Sequence, residues 1–95
     1  MNTSGVKSSI SRPAYVPTTA LAKAVEFKGA RMFVHLQDGR AIGVPLAWFP
    51  ILEQATPAQR RRYVIGGGGV SLYWPEIDEE LSVAGLLAGA DWQSA

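Results

Sequence analysis

The chain has 95 residues, 47% of them hydrophobic and 18% charged, a globular composition with room for one modest core. With no cysteine and one histidine, disulfide scaffolds, thiolate metal sites and thiol catalysis are excluded, and a histidine-built metal cage or proton relay has no material. The net charge of +1 is unevenly spread: residues 1–62 carry all nine Lys and Arg with three acids, whereas residues 63–95 carry five acids and no Lys or Arg.

Residues 1–20 are rich in Ser and Thr, are interrupted by Pro13 and Pro17, and follow neither a period of 2 nor one of 3.6. They are expected to form a disordered tail, with a single α+β domain over residues 21–95. Val25 and Phe27 lie two apart and share one face of a short strand. The run Met32-Phe33-Val34-His35-Leu36 alternates, and so does a second run with Ile42, Val44 and Leu46 in phase. Between them stands Asp38-Gly39, where Gly tolerates positive φ and Asp bonds its own backbone. Matched strands around Asp-Gly predict a β-hairpin.

Pro45 ends the second strand. Pro50 suits the first turn of a helix, where its missing N–H is no loss, which predicts a short helix over Phe49–Ala55. Thr56-Pro57-Ala58-Gln59 has the form of a capping box, with Thr56 as N-cap, Pro57 at N1 and Gln59 at N3. The helix it opens is expected to run through Val64 to a stop at Gly66, with Tyr63 and Val64 turned inward. A phosphate loop would need Lys-Ser/Thr after the glycines Gly66–Gly69; Val70-Ser71 follows instead, so the four glycines predict a helix-to-strand hinge with positive φ. Val70-Ser71-Leu72-Tyr73-Trp74 alternates as a strand with Val70, Leu72 and Trp74 in phase. After Pro75 comes an acidic turn, Glu76 to Glu80. Ser82 caps a last helix, Val83–Ala88, with Gly89 beyond it and Leu81, Leu86 and Leu87 toward the core. The fold class is α+β: a small antiparallel sheet containing a β-hairpin, with two or three short helices packed on it.

His35 lies on the phase opposite Met32, Val34 and Leu36, and no serine sits in a nucleophile elbow, so His35 is read as an exposed or cross-strand residue. Asp78, Glu79 and Glu80 are consecutive and lack the spacing of a calcium loop. No catalytic residue, metal site or cofactor is assigned. Arg60, Arg61 and Arg62 fan over about 200° of a helix, at about 100° per residue; they cannot share one phosphate stripe, and one is expected to pair with an acid inside the domain.

From Ala24 to Gly89 the sequence resembles a small bacterial family catalogued as domain of unknown function 2442. The likeness lies in Asp38-Gly39-Arg40, Val44-Pro45-Leu46, Trp48-Phe49-Pro50, Leu52, Ala55-Thr56-Pro57 and Gln59-Arg60. It is strongest in Trp74-Pro75-Glu76-Ile77-Asp78-Glu79-Glu80-Leu81-Ser82-Val83, and it closes with Gly85-Leu86-Leu87 and Gly89. The four-glycine link, Glu80 in place of the family's more frequent Asp, and the long tail depart from the pattern. The resemblance implies a compact α+β module that is not an enzyme. Members occur alone or ahead of a helix-turn-helix domain, some as the presumed antitoxin of a gene pair; a helix-turn-helix extension is not expected here.

Two functions are expected of such a chain. The first is a non-catalytic protein-binding module, the antitoxin-like or regulatory member of a bacterial gene pair. Its acidic turn would lie beside the aromatic pair Tyr73 and Trp74, and Trp74, Glu76, Asp78 and Glu79 would meet a basic, toxin-like protein partner. The phase of Trp74 also fits the core. The second is a nucleic-acid-binding transcriptional regulator using Arg31, Arg40, Arg60, Arg61 and Arg62, with affinity that falls steeply with salt. A homodimer, through an unpaired strand edge or the Trp48–Phe49 cluster, is a further partner the sequence admits. No apolar run nears the ~20 residues of a membrane span, no signal-peptide pattern is present, and a cytoplasmic location is expected.

Overall fold

The alternating runs form an antiparallel meander of β1 (Ala22–Lys28), β2 (Arg31–Leu36) and β3 (Ala41–Pro45), in the order β1-β2-β3. The computed structural model describes residues 20–89; the expected tail lies outside them except for Ala20, which packs against the core. Period-2 alternation sends Met32, Val34, Leu36 and Val44 to the buried face and sets Phe33 opposite Gly43 on the other. The Asp-Gly turn closes as its chemistry requires: Gly39 has φ +98°, and Asp38 Oδ1 accepts from the Arg40 N–H at 3.0 Å. A bulge at Lys23 shifts the register at the start of β1.

After β3 the chain turns through a 3₁₀ segment, Leu46–Trp48, into α1 (Pro50–Gln54) and α2 (Pro57–Arg61). Both arms of the capping box are made. Gln59 N–H donates to Thr56 Oγ1 at 3.1 Å, and Thr56 N–H donates to Gln59 Oε1 at 2.9 Å.

Here the structure departs from the sequence-based expectation. Helix α2 stops at Arg61, and Val64–Gly66 is instead a strand, β4, pairing with β5 (Ser71–Trp74), which in turn pairs with β6 (Glu79–Ser82). The described residues therefore form two three-stranded antiparallel sheets, and with their three short helices they make a small α+β fold. Tyr63 does turn inward, but Val64 is 50% exposed on the outer face of β4.

Gly67, Gly68 and Gly69 all take positive φ, as expected, yet they make the tight turn of a β4–β5 hairpin rather than a helix-to-strand hinge. Val70 belongs to that turn and is exposed, not in the core with Leu72 and Trp74. The acidic stretch is likewise half turn and half strand: Asp78, at φ +53°, closes the β5–β6 hairpin, and Leu81 pairs with Leu72.

Ser82 then caps α3 (Val83–Ala88), its Oγ accepting from the Gly85 N–H at 2.9 Å. Six residues offer the core only the Val83–Leu86 stripe, so Leu87 points to solvent against expectation. The core gathers the inner faces of both sheets with Leu46, Phe49, Leu52, Val83 and Leu86.

Candidate functional site

Alternation along β5 decides which aromatic is available at the surface. Leu72 and Trp74 point inward and Tyr73 points out. Trp74 is fully buried; its ring packs edge-on to Phe27 at 6.5 Å and tilted to Tyr63 at 6.4 Å. The expectation that Trp74 meets a partner is thereby corrected, because burial of this large ring between the two sheets anchors the core. Tyr73, half-buried, lies in a cross-strand row with Val64 on one side and Glu80 on the other. Neither Val64 nor Glu80 carries a local signal for this placement. Tyr73 carries one, being out of phase with its apolar neighbours.

The acids cluster at the end of this row. Glu76, in the hairpin turn, accepts from Arg62 Nε at 2.9 Å and Nη2 at 2.7 Å through one oxygen, Oε1. This tethers the turn to the chain leaving α2, although an exposed pair of this kind contributes at most about 1 kcal/mol. Asp78 and Glu80 are exposed. Glu79 shares the inward phase of β6 with Leu81 and is half-buried opposite Trp74. Burial pushes its carboxyl above the ordinary carboxylate range, and the negative Asp78 beside it adds to the rise. Of the four residues expected to meet a partner, Glu76 and Asp78 are on the surface, Glu79 is half-hidden and Trp74 is inside.

The arginines do not converge. Arg31 and Arg40 sit at opposite ends of β2, about 17 Å apart at the usual rise per residue, and Arg40 pairs with Asp38 at 2.8 Å. Arg60 Nε and Nη2 donate to the main-chain carbonyls of Leu52 and Glu53 at 2.9 and 2.7 Å, and its guanidinium lies 5.5 Å over the Phe27 ring. Of the three successive arginines Arg60, Arg61 and Arg62, Arg62 is the one that pairs with an acid. Only Arg31 and Arg61 of the five are exposed with no side-chain hydrogen bond or ion pair among the described residues.

His35 faces Glu26 across β1 and β2, its Nε2 3.1 Å from Oε1, which is the cross-strand placement expected of it. Among the described residues no three of His, Cys, Asp or Glu come together as a metal site, and no helix is long and apolar enough to cross a membrane.

Comparison with known proteins places this geometry in context. A family model described as protein of unknown function (DUF2442) matches residues 22–91. The crystal structure of a protein of unknown function from Rhodospirillum rubrum is similar, with a TM-score of 0.67 and 29% identity over 82% of this chain and all of that one. No curated protein matches.

Proposed function

The chain belongs to the DUF2442 family of proteins of unknown function, and from that premise we propose that it works in the cytoplasm as a non-catalytic module that binds a basic protein partner. The carrying observation is the outward row Val64–Tyr73–Glu80 running beside the acidic β5–β6 turn. An amphipathic aromatic with one apolar and one acidic neighbour combines lasting contact with electrostatic steering. Tyr73 takes the part first expected of Trp74, and Asp78 and Glu80 carry the uncompensated charge beside it. A basic, toxin-like product of a neighbouring gene would present the matching surface, which would make this chain the antitoxin-like or regulatory member of the pair.

The nucleic-acid reading has less behind it. Three of its five arginines spend their N–H groups within the domain, on Asp38, on Glu76 and on two main-chain carbonyls. Phosphate binding depends on several cations meeting one backbone, and these five do not.

Affinity purification of the full chain from its native host at low salt tests the proposal. A basic partner should be retained by the wild type and lost from Tyr73→Ala and Glu80→Arg, both surface changes that leave the fold intact. A chain that emerges alone at every salt concentration refutes it. Retention of DNA that is lost with Arg61→Ala would move the assignment to the regulator.

A further inference from the structure

We propose that the outer edge of β1, from Val25 to Phe27, receives an extended acidic peptide segment of a partner protein as an added strand, held by Arg61. Strand β1 is an edge strand, and its N-terminal part is already closed off: the Ala22 N–H donates to the Gly69 carbonyl at 2.8 Å. Further along, the Val25 N–H points away from β2 and donates to the Tyr63 hydroxyl at 3.1 Å. In an antiparallel ladder successive residues alternate between facing the paired strand and facing outward, so Phe27 turns its N–H and C=O to the same outer side, as does the Val25 C=O. None of the three has a partner among the described residues. These are the groups with which strand addition works, on an edge of the kind most folds cover.

A groove of about 450 Å³ runs along this edge, lined on the strand side by Val25, Phe27 and Gly29 and on the helix side by Pro57, Arg60 and Arg61. Its charge selects the occupant. Arg60 is fixed by neutral carbonyls, which orient its guanidinium without cancelling its charge. Arg61 is exposed and without a partner among the described residues. The one acid lining the groove, Glu26, keeps its charge in its contact with His35. Two positive charges against one negative therefore leave a net positive groove beside an edge presenting two carbonyls and one N–H. A phosphodiester, which only accepts, would find those carbonyls repulsive, and inorganic phosphate presents mostly acceptor oxygens to them. A peptide main chain satisfies both kinds of group while its carboxylate reaches Arg61. This surface is separate from the Tyr73 row and takes a partner of opposite charge.

The test is a titration of the full ¹⁵N-labelled chain with a capped hexapeptide alternating Val and Glu. Amides from Val25 to Gly29 should shift, exchange of the Phe27 amide should slow at saturation, and binding should weaken about tenfold with Gln in place of Glu or with Arg61→Glu. The Arg61→Glu spectrum elsewhere reports an intact fold, and Tyr73→Ala should leave the titration unchanged, so that failure here is distinct from failure of the proposed function. Absence of shifts at Phe27 overturns the inference, as does equal binding of the Gln peptide. So does displacement of the peptide by inorganic phosphate or a thymidine oligonucleotide, which would mark an anion site. Phe27 protection that rises with protein concentration alone would assign the edge to a second copy and overturn it likewise.

Discussion

The indole N–H of Trp74 donates to the main-chain carbonyl of Arg60 at 3.0 Å. One residue of the second sheet thus satisfies a carbonyl near the end of α2, whose last turn would otherwise leave it unpaired. The same ring fills the space between Phe27 and Tyr63, so this bond joins both sheets and the helix at one point.

Replacing Trp74 by Phe keeps most of the apolar volume and removes the donor. The variant should lose about 1–3 kcal/mol, the range for leaving a buried polar group unsatisfied, with Trp74→Ala losing about 3–5 kcal/mol. Urea unfolding followed by tyrosine fluorescence or circular dichroism measures both; a Phe variant as stable as the wild type would mean the bond contributes nothing.

Adjacent arginines should behave differently. Arg60 uses two arms of its planar fork on two carbonyls, a geometry that lysine cannot copy. Arg60→Lys should destabilise by about 1–2 kcal/mol, whereas Arg61→Lys, on an exposed residue, should stay within about 0.5 kcal/mol of wild type. Thermal melts of the two variants side by side provide the comparison.

The glycine turn separates conformational from steric requirements. Gly68 has φ +70° with open space around a would-be Cβ, while at Gly69, φ +123°, that Cβ would come within 2.9 Å of the Ala22 main chain. Gly68→Ala should cost about 1–2 kcal/mol for left-handed backbone alone. Gly69→Ala must also push β1 away from the turn and should cost at least about 3 kcal/mol. Equal midpoints in a urea titration would contradict this ordering.

The pH dependence has two opposed contributions. Because burial and Asp78 raise the Glu79 carboxyl, the folded chain holds that proton more readily than the unfolded chain. Charged Glu79 therefore lowers stability at neutral pH, by under about 1 kcal/mol at a partly solvated site. The loss is relieved as pH falls through the raised folded value toward the unfolded one. Asp38 runs the other way: the Arg40 N–H holds its carboxyl low, so its contribution is present above the unfolded value and lost as pH falls through the lower folded one. Glu79→Gln should be more stable than wild type at pH 7, with the gap closing near pH 4. Unfolding curves at the two pH values decide it; a gap that widens in acid would reverse the sign argued here.

The first sheet and all three helix starts are legible in the sequence because their causes are local. Asp38-Gly39 bends its own backbone, Thr56 and Gln59 bond each other three residues apart, Ser82 caps its own helix, and the alternation of Met32, Val34 and Leu36 is a period any reader can count. The second sheet is not legible in this way. Strands of three and four residues such as β4 and β6 owe their conformation to the ladder they join, so Val64–Gly66 reads as the tail of a helix, and Glu79 and Glu80 read as the end of an acidic turn, until β5 is set between them. The candidate surfaces follow the same division. That Tyr73 and Trp74 face opposite ways is written in the order of residues along β5. Which side chains flank Tyr73, and which carbonyl the indole of Trp74 reaches, depend on contacts between separate segments of the chain, and only the assembled tertiary structure decides them.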